Sequence, residues 1–366
     1  MMRLDDREWK VFPLTGEDGL FPIRATSTGI DGIKLKEGED AVLPYITRTE
    51  TNNGIARFIS SANLEYGKDE GGCITIGLDT QTAYWQPVDF VTGQNIHVLR
   101  SDKLNYYSYQ FLTVILRQQM KSKFNWGGNG ATLGRLKKLK IMLPVTDDGE
   151  PDYQFMEDYI REVMTAKRKQ YRDFVEKRLK SLGSELSNEV EWNEELKSHI
   201  WRSFIVRDIA DVFSGQDIYA QERIEGTTPL VTAVGVNNGI GYFVGNDNDS
   251  RAEGSISVVR NGASVGKAFY HRYSALYGND CRRMKLKKTN SEFANVFVTQ
   301  VIRMQNKAFS YSRKLGTGRL ENLKIMLPAT DNGDPDYDFM ESFGRKMMFN
   351  KYNQYLAYLA MSDTVK

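Results

Sequence analysis

The feature that most constrains this chain is an internal repeat. Residues 134–157 read GRLKKLKIMLPVTDDGEPDYQFME, and residues 318–341 read GRLENLKIMLPATDNGDPDYDFME. Eighteen of these 24 positions are identical at a constant offset of 184 residues, which chance does not produce. A period this long excludes a solenoid of short stacked repeats. The chain is therefore predicted to be a duplicated domain, with units of roughly 180 residues.

Shorter matches upstream keep the same order in both halves. Residues 44–47 lead into an Asn-Asn-Gly segment at 52–54, and residues 229–232 lead into another at 237–239. Asn and Gly tolerate a positive φ, so these segments predict turns. Both halves keep the asparagines, and a turn role therefore explains them better than contact with a variable ligand.

Each unit is predicted to combine short strands with one short helix. Strands are indicated where apolar and small residues alternate, and the helix where apolar residues recur at helical spacing. A Gly-rich loop and a further apolar strand follow. The predicted strands are Gly72–Gly77, Leu139–Leu143, Gly254–Val259 and Leu323–Leu327, and the predicted helices are Tyr106–Gln119 and Phe293–Gln305.

A long amphipathic helix is predicted to end each unit. Asp152 and Asp336 occupy the N-cap positions, and the first helix runs to Leu182 over about 46 Å. The second runs to Met361 over about 39 Å. Their apolar stripes predict that the helices pair as an antiparallel coiled coil. The alternative is that each packs only on its own domain.

Composition argues against several kinds of chemistry. The chain has three histidines and two widely spaced cysteines, which is poor material for a His-built metal or acid–base site. Residues 262–267 only superficially resemble a phosphate loop, because Ala268 stands where Ser or Thr is needed. Without a signal peptide or an apolar membrane span, the chain is expected to be cytoplasmic and to contact no membrane.

This layout resembles that of restriction-modification DNA specificity subunits, of type I or a type IIB-like class. The resemblance rests on the doubled segments Leu143–Glu157 and Leu327–Glu341, which look like the junction between reader and spacer helix. It implies an α+β fold with two tandem target recognition domains of mixed α/β structure. The implied divisions are a first reader at 1–151, a first spacer helix and connector at 152–200, a second reader at 201–335 and a second spacer helix at 336–366.

The resemblance also implies a non-catalytic role. The chain would bind double-stranded DNA, read a bipartite asymmetric site and position methyltransferase subunits, together with a restriction or translocase subunit. No cofactor is expected in this chain, because S-adenosylmethionine and magnesium would be held by the partners. Two alternatives stay open: a DNA-cleaving enzyme with a diverged metal site, and a protein-binding scaffold of a defence complex.

DNA readers use polar and basic side chains on loops to reach base edges and phosphates. The alternative for each such residue here is an ordinary solvated surface group. The basic face of the first long helix has two readings as well, phosphate contact or a surface for partner subunits. The candidate DNA contacts are Arg48, Arg57, Gln81, Lys121, Lys123, Asn125 and Trp126 in the first half, and Arg251, Arg260, Asn261, Lys267, Arg272, Arg282 and Arg283 in the second.

Overall fold

The structure is a computed structural model that describes residues 2–125, 128–183, 189–310 and 312–364. The chain divides into two compact units, unit 1 at residues 1–171 and unit 2 at residues 172–366. No described helix is long and apolar enough to cross a membrane.

Unit 1 combines three sheets with a helix that lies against the largest of them. Its sheets have the strand orders β1-β9, β2-β8-β5-β6 and β4-β3-β7. The strands are β1 (Trp9–Pro13), β2 (Ile23–Ala25), β3 (Leu43–Ile46), β4 (Ile55–Ile59), β5 (Cys73–Gly77), β6 (Thr82–Gln86), β7 (Val91–Thr92), β8 (Ile96–Leu99) and β9 (Lys140–Pro144); the helices are α1 (Tyr106–Lys123), α2 (Leu133–Leu136) and α3 (Tyr153–Leu182), which continues into unit 2.

Unit 2 repeats this arrangement strand for strand. Its sheets have the orders β10-β18, β11-β17-β14-β15 and β13-β12-β16, so the predicted duplication is confirmed. The strands are β10 (Trp201–Ile205), β11 (Ala210–Ser214), β12 (Glu225–Val231), β13 (Ile240–Val244), β14 (Ser255–Val259), β15 (Ala268–His271), β16 (Leu276–Tyr277), β17 (Cys281–Leu286) and β18 (Lys324–Pro328); the helices are α4 (Glu189–Ser198), α5 (Val206–Ile209), α6 (Glu292–Met304), α7 (Thr317–Glu321) and α8 (Tyr337–Thr364).

The register of the two-stranded sheets is also duplicated. Trp9 pairs with Pro144 in unit 1, and Trp201 pairs with Pro328 in unit 2. Each indole N–H donates to a leucine carbonyl five residues earlier, at 2.8 Å in both units. The equal spacing shows that the two copies fold through the same local interactions.

A separate apolar core holds each unit together. In unit 1, Ile74 and Ile76 of β5 point to the face covered by α1, where Leu112 and Leu116 are fully buried. In unit 2, Ile256, Val258, Val298 and Ile302 make the same kind of core between β14 and α6. Alternate strand residues share a face, so one sheet face packs on the helix. Both cysteines are free and buried.

Both long helices begin where the sequence predicts. The backbone N–H of Phe155 donates to Asp152 Oδ1 at 2.8 Å, and that of Phe339 donates to Asp336 Oδ1 at 2.9 Å. Each carboxylate thus satisfies one of the free amides of a helix N-terminus. The capping interpretation is confirmed for both aspartates.

Helix α1 is longer than the sequence predicts. It was expected to end at Gln119 but continues to Lys123, because residues 120–123 include no Gly or Pro, and the backbone becomes extended only at Phe124. Lys121 and Lys123 therefore lie in its last turn and not in a loop. In that turn the two cations also complement the negative end of the helix dipole.

Within unit 2, the end of α3 runs antiparallel to part of α8. The rings of Phe174 and Tyr352 meet edge to face at 6.3 Å, and Arg345 donates to the Ser181 carbonyl at 3.2 Å. The contacting residue numbers rise from 174 to 181 along α3 and fall from 352 to 345 along α8, so the two helix segments are antiparallel. A coiled coil along the full length of both helices stays a prediction.

Candidate nucleic-acid interface

Three connections meet at one edge of each unit, which we call the loop edge. In unit 1 they are residues 47–54, 78–81 and the described residues of 124–132. In unit 2 they are residues 232–239, 260–267 and the described residues of 305–316. In each set, the first connection follows the third strand of the unit. The second connection joins the fifth strand to the sixth, and the third follows helix α1 or α6.

Backbone hydrogen bonds tie these connections together in the same way in both units. The N–H of Ala131 donates to the Leu78 carbonyl at 2.8 Å, and that of Leu315 donates to the Arg260 carbonyl at 3.0 Å. Leu78 and Arg260 consequently occupy equivalent positions, although one is apolar and the other is charged. The framework of the loop edge is retained while its side chains differ.

Two arginines that the sequence analysis did not select stabilise the loop edge. Arg135 donates to the carbonyls of Gly130 at 2.9 Å and Gly128 at 2.8 Å. Its repeat equivalent, Arg319, donates to the Lys314 carbonyl. Both lie in the identical GRL segment of the repeat, a signal that could have identified them. Their hydrogen bonds to loop carbonyls position the loop.

The Asn-Asn-Gly segments are turns, as predicted. Asn52, Asn53, Asn237 and Asn238 all have φ between +50° and +56°. The Asn53 side chain donates to the Trp85 carbonyl at 2.7 Å, and this bond ties the turn to β6. Such left-handed conformations favour Asn and Gly over other residues.

Of the candidates in unit 1, three side chains lie at the loop edge itself. Arg48 forms an ion pair with Asp79 of the neighbouring turn. Asn125 is exposed, and its backbone forms a bridge with Asn129. Gln81 is only 8% exposed, has φ +52°, and its amide donates to the Asp79 carbonyl at 2.6 Å. Its side chain shapes the turn in this structure, and its contact with DNA stays a prediction.

The remaining candidates of unit 1 are distributed differently. Lys121 and Lys123 are exposed on the turn of α1 that enters the loop edge. Arg57 lies apart from the loop edge on β4, where it donates to the Gly32 carbonyl at 3.2 Å. Trp126 lies outside the described residues.

In unit 2, four candidates come together at the loop edge. Lys267 donates to the Gly235 carbonyl at 3.2 Å and so bridges two of the connections. Arg260 pairs with Asp280 at 2.7 Å. Asn261 is half-buried, and Arg282 lies beside Arg260 on β17. The loop edge of unit 2 thus concentrates basic side chains.

The other three candidates of unit 2 lie elsewhere. Strand register places Arg251 and Arg272 at the opposite end of β14 and β15, and they pair with acidic residues of unit 2 there. Arg283 points to the opposite face of β17 from Arg282 and lies 4.1 Å from the Phe213 ring centroid. These three residues therefore do not join the other four at the loop edge, because neighbours along the chain separate between strand ends and strand faces.

Within the described ranges, no group of three or more His, Cys, Asp or Glu side chains is placed to hold a metal ion. Burial raises the pKa of the Cys73 and Cys281 thiols to about 12. Neither thiol is therefore an ionised nucleophile at neutral pH.

Comparison with known proteins gives a consistent result. Residues 6–171 and 200–355 match the family described as the type I restriction modification DNA specificity domain. The specificity subunit S.BcgI of a type II restriction enzyme from Heyndrickxia coagulans is 30% identical over 321 residues, which cover 87% of this chain and 89% of that protein.

Solved structures with a similar arrangement are more distant. The S subunit of a type I restriction-modification system from M. genitalium is 16% identical, with a TM-score of 0.44, over 100% of this chain and 96% of that one. The HsdS subunit from Thermoanaerobacter tengcongensis is 11% identical, with a TM-score of 0.33, over 97% of this chain and 91% of that one.

Proposed function

Because the chain belongs to the family of type I restriction modification DNA specificity domains and is a specificity subunit of a restriction-modification system, we propose that its two units read the two halves of a bipartite, asymmetric DNA site. The observation that carries this proposal is the loop edge. Both units keep its backbone framework, yet its side chains differ between them. That is the pattern needed by two readers with different targets.

Duplication and divergence have a direct consequence for the DNA site. Two identical readers related by a twofold axis favour a palindrome, whereas two diverged readers in one chain can recognise unlike half-sites. Residues 1–151 and 201–335 would be the readers. The helices in 152–200 and 336–366 would set the gap between the half-sites.

The chain is assigned DNA recognition, and the chemistry is assigned to its partners. Methyltransferase subunits would bring S-adenosylmethionine, and a restriction or translocase subunit would bring magnesium-dependent cleavage. The relative S.BcgI is itself a specificity subunit, which supports this division of labour.

The test is methylation mapping. The chain is co-expressed with the methyltransferase encoded beside it, and modified bases are located in the host genome. One bipartite motif with a fixed gap, absent when this chain is deleted, is the expected result. No modification, or the same motif without the chain, contradicts the proposal.

A loop exchange sharpens the test. Replacing residues 260–267 by the shorter turn 78–81 is expected to change one half of the motif and leave the other half intact. Arg251→Gln, at the opposite end of the same sheet, is the matched control and is expected to leave the motif unchanged. Magnesium-dependent nicking by the purified chain would instead favour an enzyme, and sequence-blind, salt-insensitive binding would favour a scaffold.

A further inference from the structure

Arg282 is a buried cation without an acidic partner. It is only 5% exposed, and its Nη1 donates to the carbonyls of Asn279 at 2.8 Å and Cys281 at 3.2 Å. Among the described residues, no carboxylate forms a salt bridge with it. Buried charges in proteins are normally paired, because an unpaired charge loses hydration without compensation.

A second guanidinium, that of Arg260, lies beside Arg282 and engages the nearby carboxylate of Asp280. Arg260 pairs with Asp280 at 2.7 Å, so one carboxylate serves two neighbouring arginines. The Nε atoms of Arg260 and Arg282 are both buried without a hydrogen-bond partner among the described residues. Burial, followed by the positive charge of Arg260, lowers the pKa of Arg282. Arginine nevertheless stays protonated at neutral pH, so the excess positive charge is permanent.

The equivalent position in unit 1 has no such excess. The N–H of Leu78 donates to the Asn95 carbonyl at 3.1 Å, just as that of Arg260 donates to the Asp280 carbonyl at 2.9 Å. Strand register then places His97 where unit 2 has Arg282. Burial lowers the pKa of His97, which favours its neutral form. The pair of arginines is therefore specific to unit 2.

We propose that Arg260 and Arg282 form an anion site that binds one backbone phosphate of DNA at the loop edge of unit 2. The carbonyls of Asn279 and Cys281 hold the Arg282 guanidinium in place before DNA arrives. A phosphate accepts hydrogen bonds from guanidinium groups and supplies the missing negative charge. This inference rests on the proposed function only in that the anion is DNA.

A phosphate contact carries no sequence information, so losing it should weaken the binding of any duplex. The experiment therefore compares duplexes with and without the recognised site. The full chain with its methyltransferase partner is titrated with two duplexes over a range of salt concentrations. One contains the mapped site, and the other lacks it. Arg282→Gln is compared with Arg251→Gln, which also removes one positive charge from unit 2 but at the opposite strand ends.

Arg282→Gln is expected to weaken both duplexes by about the same factor, on the order of tenfold at low salt, and to reduce the slope of log K against log salt by about one. Arg251→Gln is expected to leave the slope unchanged. Single phosphates of the duplex are then replaced by uncharged methylphosphonates. Replacement at one position should lower the DNA affinity of the wild type but not that of Arg282→Gln.

The thermal stability of the DNA-free complex should not fall in Arg282→Gln, in contrast to its DNA affinity. Removing an unpaired buried charge should leave the melting temperature of the DNA-free complex unchanged or raise it. A lower melting temperature with an unchanged salt slope would show that Arg282 is structural and would overturn the inference. If the wild type binds both duplexes equally while Arg282→Gln still lowers the salt slope, the proposed reading of a specific DNA sequence is contradicted. The phosphate site is supported by the same result.

Discussion

The two units have the same sheet topology but differ in the turn between their fifth and sixth strands. In unit 1 this turn is residues 78–81, and in unit 2 it is residues 260–267. Both turns begin at the same backbone hydrogen bond, to the carbonyl of Leu78 or of Arg260. A duplicated domain can therefore lengthen and recharge this turn without disturbing its core, since surface turns tolerate insertion.

A second difference lies before the third strand. Unit 1 has residues 26–42 there, whereas unit 2 has the shorter segment 215–224. The longer segment folds back on unit 1 through Asn63, which is fully buried. The Asn63 side chain accepts from the Lys36 N–H at 2.8 Å and donates to the Lys36 carbonyl at 2.9 Å. The two units therefore differ in the length of this connecting segment, and the longer copy is held by hydrogen bonds to its own unit.

The largest expected effect concerns acid stability and should distinguish the units. His271 is fully buried in unit 2, where its Nε2 lies 2.8 Å from Ser257 Oγ, and burial lowers its pKa to about 4. An unfolded histidine binds a proton below about pH 6.5, so its contribution to folding is complete above pH 6.5 and is lost as the pH falls to 4. The loss should approach about 3 kcal/mol.

Hydrogen exchange during denaturant titration, followed peptide by peptide at pH 7 and pH 4.5, measures this loss in each unit. His271→Gln should make the pH dependence of unit 2 shallower and leave that of unit 1 unchanged. An equal pH dependence of unit 2 in wild type and variant would contradict this assignment.

The next effect tests whether the loop edges act independently. Arg135→Ala and Arg319→Ala each free a connection whose carbonyls the guanidinium holds. Each should lower the affinity for one half-site by about tenfold, the scale of a charge-assisted hydrogen bond. Methylation mapping should show that the two variants impair opposite halves of the motif. Impairment of the same half by both variants would refute the division of labour.

The helix caps should give a smaller, nearly equal cost. Asp152→Ala and Asp336→Ala each remove the N-cap acceptor and should lower the unfolding free energy by about 1 kcal/mol. Asp152 also accepts from Arg7 Nε at 2.9 Å, and Asp336 lies 3.2 Å from His199 Nε2, so each variant loses one further contact with a basic side chain. Urea titration of both variants measures the difference, and Asp→Asn substitutions, which can still cap, are the controls.

The smallest effect concerns the paired turns. Asn52→Gly and Asn237→Gly keep access to a positive φ, so stability should change by no more than about 0.5 kcal/mol. Modification of both half-sites should continue at the wild-type rate. A selective loss at one half-site would show that the asparagine side chain contacts DNA.

Much of the fold could be predicted because its signals are local. The repeat, the strand alternation and the capping aspartates at 152 and 336 need only neighbouring residues. The candidate site was predictable only in part. The end of α1 at Lys123 follows from the extended backbone of Phe124, which no sequence signal marks, and the clustering of Arg260 with Arg282 depends on strand register.

The sequence by itself determined that this chain is two copies of one domain, each followed by a long capped helix. Only the tertiary structure decided which basic residues share an edge. Arg282 and Arg283 are neighbours in the chain, yet Arg282 is held at the loop edge by the Asn279 and Cys281 carbonyls, whereas Arg283 lies over Phe213. Successive strand residues point to opposite faces, and which face is buried depends on packing partners distant in sequence.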